Sequence, residues 1–83
     1  MPTVLRVADF VFSFYSDDHE PAHVHATNGD GTAVIEIDSG RLMHKLGDIR
    51  KKDIRRATLL VAEHKDHLQN AWTDFAFRRG ARK

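Results

Sequence analysis

Apolar residues recur at every second position through the first half of the chain and at every third or fourth position through the second half. Phe10, Phe12 and Phe14 are separated by Val11 and Ser13, which predicts a strand over residues 9–15 with three rings on one buried face. Residues 3–6 form a shorter strand candidate around Val4 and Leu5. Residues 23–27 and 32–38 then read as a hairpin about Asn28-Gly29-Asp30-Gly31, a turn-forming run. Alternation sets its faces: Val24, Ala26, Ala33, Ile35 and Ile37 on one, His23, His25, Glu36 and Asp38 on the other. With Gly29-Asp30 as the two-residue loop, His23 lies opposite Glu36 and His25 opposite Val34.

Ser39-Gly40 marks a second turn, and residues 41–46 predict a further strand with Leu42, His44 and Leu46 on one face. Gly47-Asp48 closes the β portion, residues 1–47. From there to Phe77 no Gly or Pro occurs, and the period changes. Ile54, Val61, Leu68 and Phe75 recur every seven residues, joined by Ala57, Leu60, Ala71 and Trp72, so residues 48–79 read as helical. One unbroken helix there would be about 40 Å long. That exceeds what so small a sheet can cover, so a break is expected near residues 64–66, with Gly80 and a basic tail (80–83) ending the helix. The fold class is α+β: an antiparallel sheet of four to five strands packed against one or two C-terminal helices, in a single domain spanning 1–83.

Composition narrows the picture without naming a task. A chain of 83 residues buries only about 60% of the surface it exposes when unfolded, so the core is limited. Zero cysteines exclude disulfides and thiolate metal sites, and fit a reducing cytoplasm. No window approaches the roughly 18 apolar residues of a membrane span, and no basic-then-apolar leader opens the chain. The expectation is therefore a cytoplasmic protein with no membrane partner. A net charge of +1 conceals separate blocks. Residues 17–38 hold acids but neither Lys nor Arg, whereas 50–56 and 78–83 are strongly basic. Arg50, Lys51, Lys52 and Arg55 are candidate phosphate contacts, against the plainer reading of a solvated helix start.

Chemistry concentrates in residues 17–25, Asp-Asp-His-Glu-Pro-Ala-His-Val-His. His23 and His25, two apart on a strand, project from one face, and the turn at Pro21 can return His19 toward them. Three roles are open. A divalent metal could be held by His19, His23 and His25 with Glu36, leaving a position to activate water. Alternatively, His19, His23 and His25 with Asp18 could catalyse without a metal, one imidazole accepting a proton and another donating one at a phosphodiester. Or the histidines brace the turn, with Asp18 capping backbone N–H groups. His44, His64 and His67 read as surface or packing residues, and Trp72 as core.

The run Phe14-Tyr15-Ser16-Asp17-Asp18-His19-Glu20-Pro21-Ala22-His23-Val24-His25, with the opening Met-Pro-Thr-Val-Leu-Arg and the helical Trp72, is similar to the signature of a small bacterial family, the domain of unknown function 4160. Ala22 stands where that signature has a second proline, Ala26 where it has valine, and Asp17 where it has asparagine. The resemblance implies a compact α+β domain. It also implies a member of toxin–antitoxin-like gene pairs, hence a cognate small protein as partner and RNA as a target. The expectation carried forward is a toxin–antitoxin-type module whose histidine cluster forms an active or ligand site, ribonucleolytic in its sharpest form. Its alternatives are a non-catalytic, antitoxin-like binding module and a divalent-metal-binding module. No cofactor is required by any motif.

Overall fold

The computed structural model describes residues 3–14 and 21–81. Five strands come first: β1 (Thr3–Val7), β2 (Phe10–Ser13), β3 (His23–Thr27), β4 (Gly31–Glu36) and β5 (Leu42–Gly47). Two helices follow, α1 (Lys51–Glu63) and α2 (Lys65–Ala81). All neighbouring strands are antiparallel, and the sheet order is the chain order, β1-β2-β3-β4-β5, as expected when each strand returns through a short connection. The architecture is α+β, with both helices on one face of the sheet.

The alternation read from the sequence builds the core. Phe10, Phe12, Phe14, Val24, Ala26, Ala33, Ile35 and Ile37 are all buried on the helix-covered face. Ala57 and Val61 from α1 and Leu68 and Trp72 from α2 close over them. Burying each large side chain contributes about 1.5–3 kcal/mol, so the phenylalanine row of β2 with Ile35 and Ile37 supplies much of the driving force available to so short a chain. Ile54, Leu60, Ala71 and Phe75 pack at the margin.

The β3–β4 register is His23↔Glu36, Val24↔Ile35, His25↔Val34, Ala26↔Ala33 and Thr27↔Thr32, as the two-residue loop requires. The loop is built by Asn28. Its side-chain oxygen accepts from the Asp30 N–H (2.9 Å) and the Gly31 N–H (3.1 Å), while its own N–H donates to the Gly31 carbonyl (3.0 Å). An Asx turn of this kind substitutes a side chain for backbone partners. The Thr27 and Thr32 hydroxyls join across the hairpin at 2.9 Å on the opposite face of the sheet from the core.

Three details depart from the sequence reading. The β4–β5 register shifts between Val34 and Ile35, so Leu42 lies opposite Ile35 while His44 and Leu46 lie opposite Val34 and Thr32. Leu42 is thereby on the other face from His44 and Leu46, because a bulge adds one residue and inverts the alternation beyond it. The strand expected over 9–15 is shorter. Asp9 belongs to the tight turn with Ala8, whose φ of 55° is unusual for a residue with a Cβ, and Tyr15 lies outside the described residues. Helix α2 passes through Gly80 to Ala81, since one glycine near a helix end weakens it by only about 1 kcal/mol.

The expected break falls at His64, with no glycine or proline to cause it. Its φ and ψ of −109° and 22° leave the helical region. The Leu60 carbonyl there accepts both the His64 N–H (3.0 Å) and its ring Nδ1–H (2.9 Å), so the ring satisfies the end of α1. Across the sheet, the His67 Nε2–H donates to the Val4 carbonyl at 2.9 Å, tying α2 to β1.

The start of α1 is held by close backbone approach. The Asp48 N–H donates to the Asp30 carbonyl (3.0 Å), and Gly31 pairs with Gly47, whose φ is 76°. A Cβ on Gly31 would collide with the Leu46 carbonyl, whereas one on Gly29 would meet nothing. Gly31→Ala is therefore expected to lose about 1–3 kcal/mol, the usual range for overpacking, with Gly29→Ala much less affected. Thermal unfolding followed by circular dichroism measures the difference. Equal melting temperatures would show that the β4–β5 approach is looser than described.

Candidate functional site

His23 and His25 do share a face, at the end of the sheet where β2 leaves and β3 begins. Their rings are 5.4 Å apart, centroid to centroid, and steeply inclined at 61°. His23 is half-buried and His25 is buried, at 7% exposure, with Ser13 and Val34 as its cross-strand neighbours. The His23 Nδ1–H donates to the Pro21 carbonyl at 2.8 Å, a contact made possible because the proline bends the chain back two residues earlier. That bond fixes the ring's orientation.

Trp72 packs against the same ring, 5.4 Å between centroids. It also meets Phe14 edge-on at 5.2 Å and 89°, and Phe75 at 5.7 Å. The indole is core, as its place on the helical stripe indicates, and at 5% exposure it additionally forms one wall beside the histidine pair. Forty-nine positions separate His23 from Trp72, and no local pattern in the sequence announces the contact.

Glu36 faces His23 in register but its carboxylate serves the β4–β5 turn. It accepts the Ser39 hydroxyl and lies 3.7 Å from the Arg41 Nε, while the Glu36 N–H donates to the Arg41 carbonyl (2.8 Å) and the Gly40 N–H donates to the Glu36 carbonyl (2.9 Å). Among the described residues, no three His, Cys, Asp or Glu side chains converge to hold a metal ion. Asp18 and His19 lie outside the described residues.

The basic candidates are not at this end. Arg50 stands at the N-cap position of α1 and Lys51 and Lys52 begin the helix, next to Gly31 and Gly47, whereas His23 stands beside Glu36 at the far end of β4. Five residues of strand separate the two ends, roughly 17 Å. Arg50, Lys51, Lys52 and Arg55 are exposed.

Two further residues carry electrostatic work that the sequence did not signal. Asp53, in the first turn of α1, is buried at 8% exposure, favourably placed at the positive end of the helix dipole. Arg56 approaches it at 3.5 Å, reaches Asp9 at 3.2 Å, and lies over the Phe10 ring at 5.5 Å. The i,i+3 spacing of Asp53 and Arg56 is visible in the sequence, but the contact to Asp9 comes from packing α1 across the β1–β2 turn. His44 is exposed, and His64 and His67 make the packing bonds described above.

The molecule is thus a small α+β domain with a helix-covered sheet and a histidine pair held at one end of it by a proline carbonyl and an indole. Residues 9–73, most of the chain, match the family described as Domain of unknown function (DUF4160), and the chain belongs to that family. The match begins after the Met1–Arg6 opening. No curated protein and no solved structure matches the chain. No helix among the described residues is long and apolar enough to cross a membrane.

Trp72 is the only tryptophan, so its emission reports the His23 contact directly. His23→Ala is expected to change the intensity or the maximum of that emission, and His44→Ala, at an exposed position, to leave it unchanged. Identical emission spectra for His23→Ala and the parent chain would show that the ring contact is not the one described.

Proposed function

We propose that this protein is a toxin–antitoxin-type module in which His23 and His25, with His19 and Asp18 from the segment before Pro21, form an acid–base or ligand site, a phosphodiester of RNA being the substrate it would suit. The observation that carries this is the anchoring of His23. An imidazole held at Nδ1 by a backbone carbonyl and against an indole on its flank has one orientation, as a proton-transfer group requires. The second histidine beside it supplies the complementary acid or base. Phosphate binding by Arg50, Lys51, Lys52 and Arg55 would then involve a stretch of RNA long enough to run along the sheet, since these cations stand at its other end.

A second reading is favoured by the burial of His25. A side chain only 7% exposed is well placed to brace the strand entry and poorly placed to meet a bulky substrate. In that reading the protein binds a cognate small protein and catalyses nothing. A metal-binding module is the weaker alternative, because the Glu36 carboxylate is already engaged by Ser39 and Arg41.

Expression of His23→Ala and His25→Ala in the bacterial host, with the melting temperature of each purified variant, separates the first two. Loss of growth inhibition or of bulk RNA cleavage by a variant that melts normally is the expected result for the catalytic reading. A variant that melts lower while retaining the interaction with its neighbour-encoded protein would replace it with the bracing reading. Elemental analysis of untagged protein is expected to find no stoichiometric divalent metal. About one ion per chain, lost in the double variant, would instead install the metal site.

A further inference from the structure

The two edges of the sheet are not equivalent. On β1 the apolar side chains Val4, Leu5 and Val7 pack against the core, and the Val4 carbonyl is taken by His67. On β5, by contrast, every residue but the half-buried Met43 is exposed, including Leu42 (37%) and Leu46 (47%). The phase of its ladder follows from the Asp48 N–H to Asp30 carbonyl bond. In an antiparallel pair, bonded positions alternate, so Leu46 and His44 exchange bonds with β4 while the N–H and carbonyl groups of Lys45 and Gly47 point away from it. Such a row is a template for another strand.

The charge around this edge selects what can add there. Residues 41–52 carry Arg41, Lys45, Arg50, Lys51 and Lys52 against a single acid, Asp48. Arg41 is near Glu36, but Lys45, Arg50, Lys51 and Lys52 make no ion pair among the described residues. A second copy of this chain would bring Lys45 and its neighbours against their own equivalents, an unfavourable like-charge pairing. An acidic strand meets the opposite field. Side chains alternate as well, with Lys45 on the helix side beside Ala33 and Leu46 on the open side beside Thr32. The complementary segment therefore alternates acidic and apolar residues.

We propose that β5 is a docking edge to which an extended acidic segment of a partner protein adds as a sixth strand, its backbone bonding Lys45 and Gly47 and its carboxylates meeting Lys45 and the exposed cations at the start of α1. The edge does not include His23 or His25, so it stands or falls apart from the histidine site. Backbone pairing provides most of the contact, and charge sets the partner's identity and the rate of encounter.

The test is a titration of the full chain with a short capped peptide alternating Glu and Val, followed by amide resonances and hydrogen exchange. A parallel titration uses the same peptide with Lys in place of Glu. The expected result is binding of the acidic peptide alone, with the Lys45 and Gly47 amides protected and affinity falling as salt rises. Lys45→Glu is expected to weaken it about tenfold or more. Lys45→Pro is expected to abolish pairing while the domain still folds, because proline is accepted on an edge strand where the N–H points outward. If Lys45→Pro unfolds the domain, Lys45→Glu and the exchange pattern carry the decision. Equal binding of both peptides, no binding at millimolar concentration, protection elsewhere than β5, or a dimer through β5 in sedimentation would each overturn the proposal. So would RNA, tested as polyuridylate, displacing the acidic peptide while protecting the β5 amides.

Discussion

The register of β3 against β4 is the constraint on which the remaining structure depends. Side chains on a strand alternate with period two, so a slip of β3 by one residue would send Val24 and Ala26 to the open face and carry His23 and His25 into the core. Two features prevent the slip. Asn28 closes the loop with its own side chain, and the core-facing residues of both strands are buried under α1 and α2. Because β3 also pairs with β2 and β4 with β5, the same register fixes β2 through Ser13↔His25 and β5 through Thr32↔Leu46. The position of the histidine pair is therefore a consequence of core packing.

Trp72 links that core to the pair. Its ring lies edge-on to Phe14 and also against His23, so one side chain of α2 serves both the packing and the wall of the site. This arrangement needs the helical portion to turn at His64. Beyond the break α2 crosses the end where Phe14 and His23 lie, with Lys65 near Asp38 (3.4 Å) and His67 on Val4 marking its course. The imidazole of His64 satisfies the Leu60 carbonyl at the break, which makes the turn a fixed joint.

Charge is distributed by the same geometry. Four acids are used in pairs, Asp53 and Asp9 with Arg56, Glu36 with Arg41, Asp38 with Lys65. The cations at the start of α1 and on β5 are not so used, and they lie roughly a strand's length from the histidines. Two surfaces of different chemistry thus occupy opposite ends of one sheet.

What the sequence determined by itself is the set of local choices. Alternation at Phe10, Phe12 and Phe14 named the buried face, the loop length at Asn28–Gly31 named the hairpin register, and the seven-residue recurrence from Ile54 to Phe75 named the helical face. These were legible because period and turn length are properties of neighbours in the chain. What only tertiary structure decided involves residues far apart in sequence or a change of phase. The bulge opposite Val34 moved Leu42 to the other face, packing of α2 brought Trp72 to His23, and the folding of α1 over the β1–β2 turn joined Arg56 to Asp9. The distance between the basic block and the histidines belongs to the same group. Proximity in a list of residues says nothing about which end of a sheet each occupies, and that is set by the direction in which each strand runs.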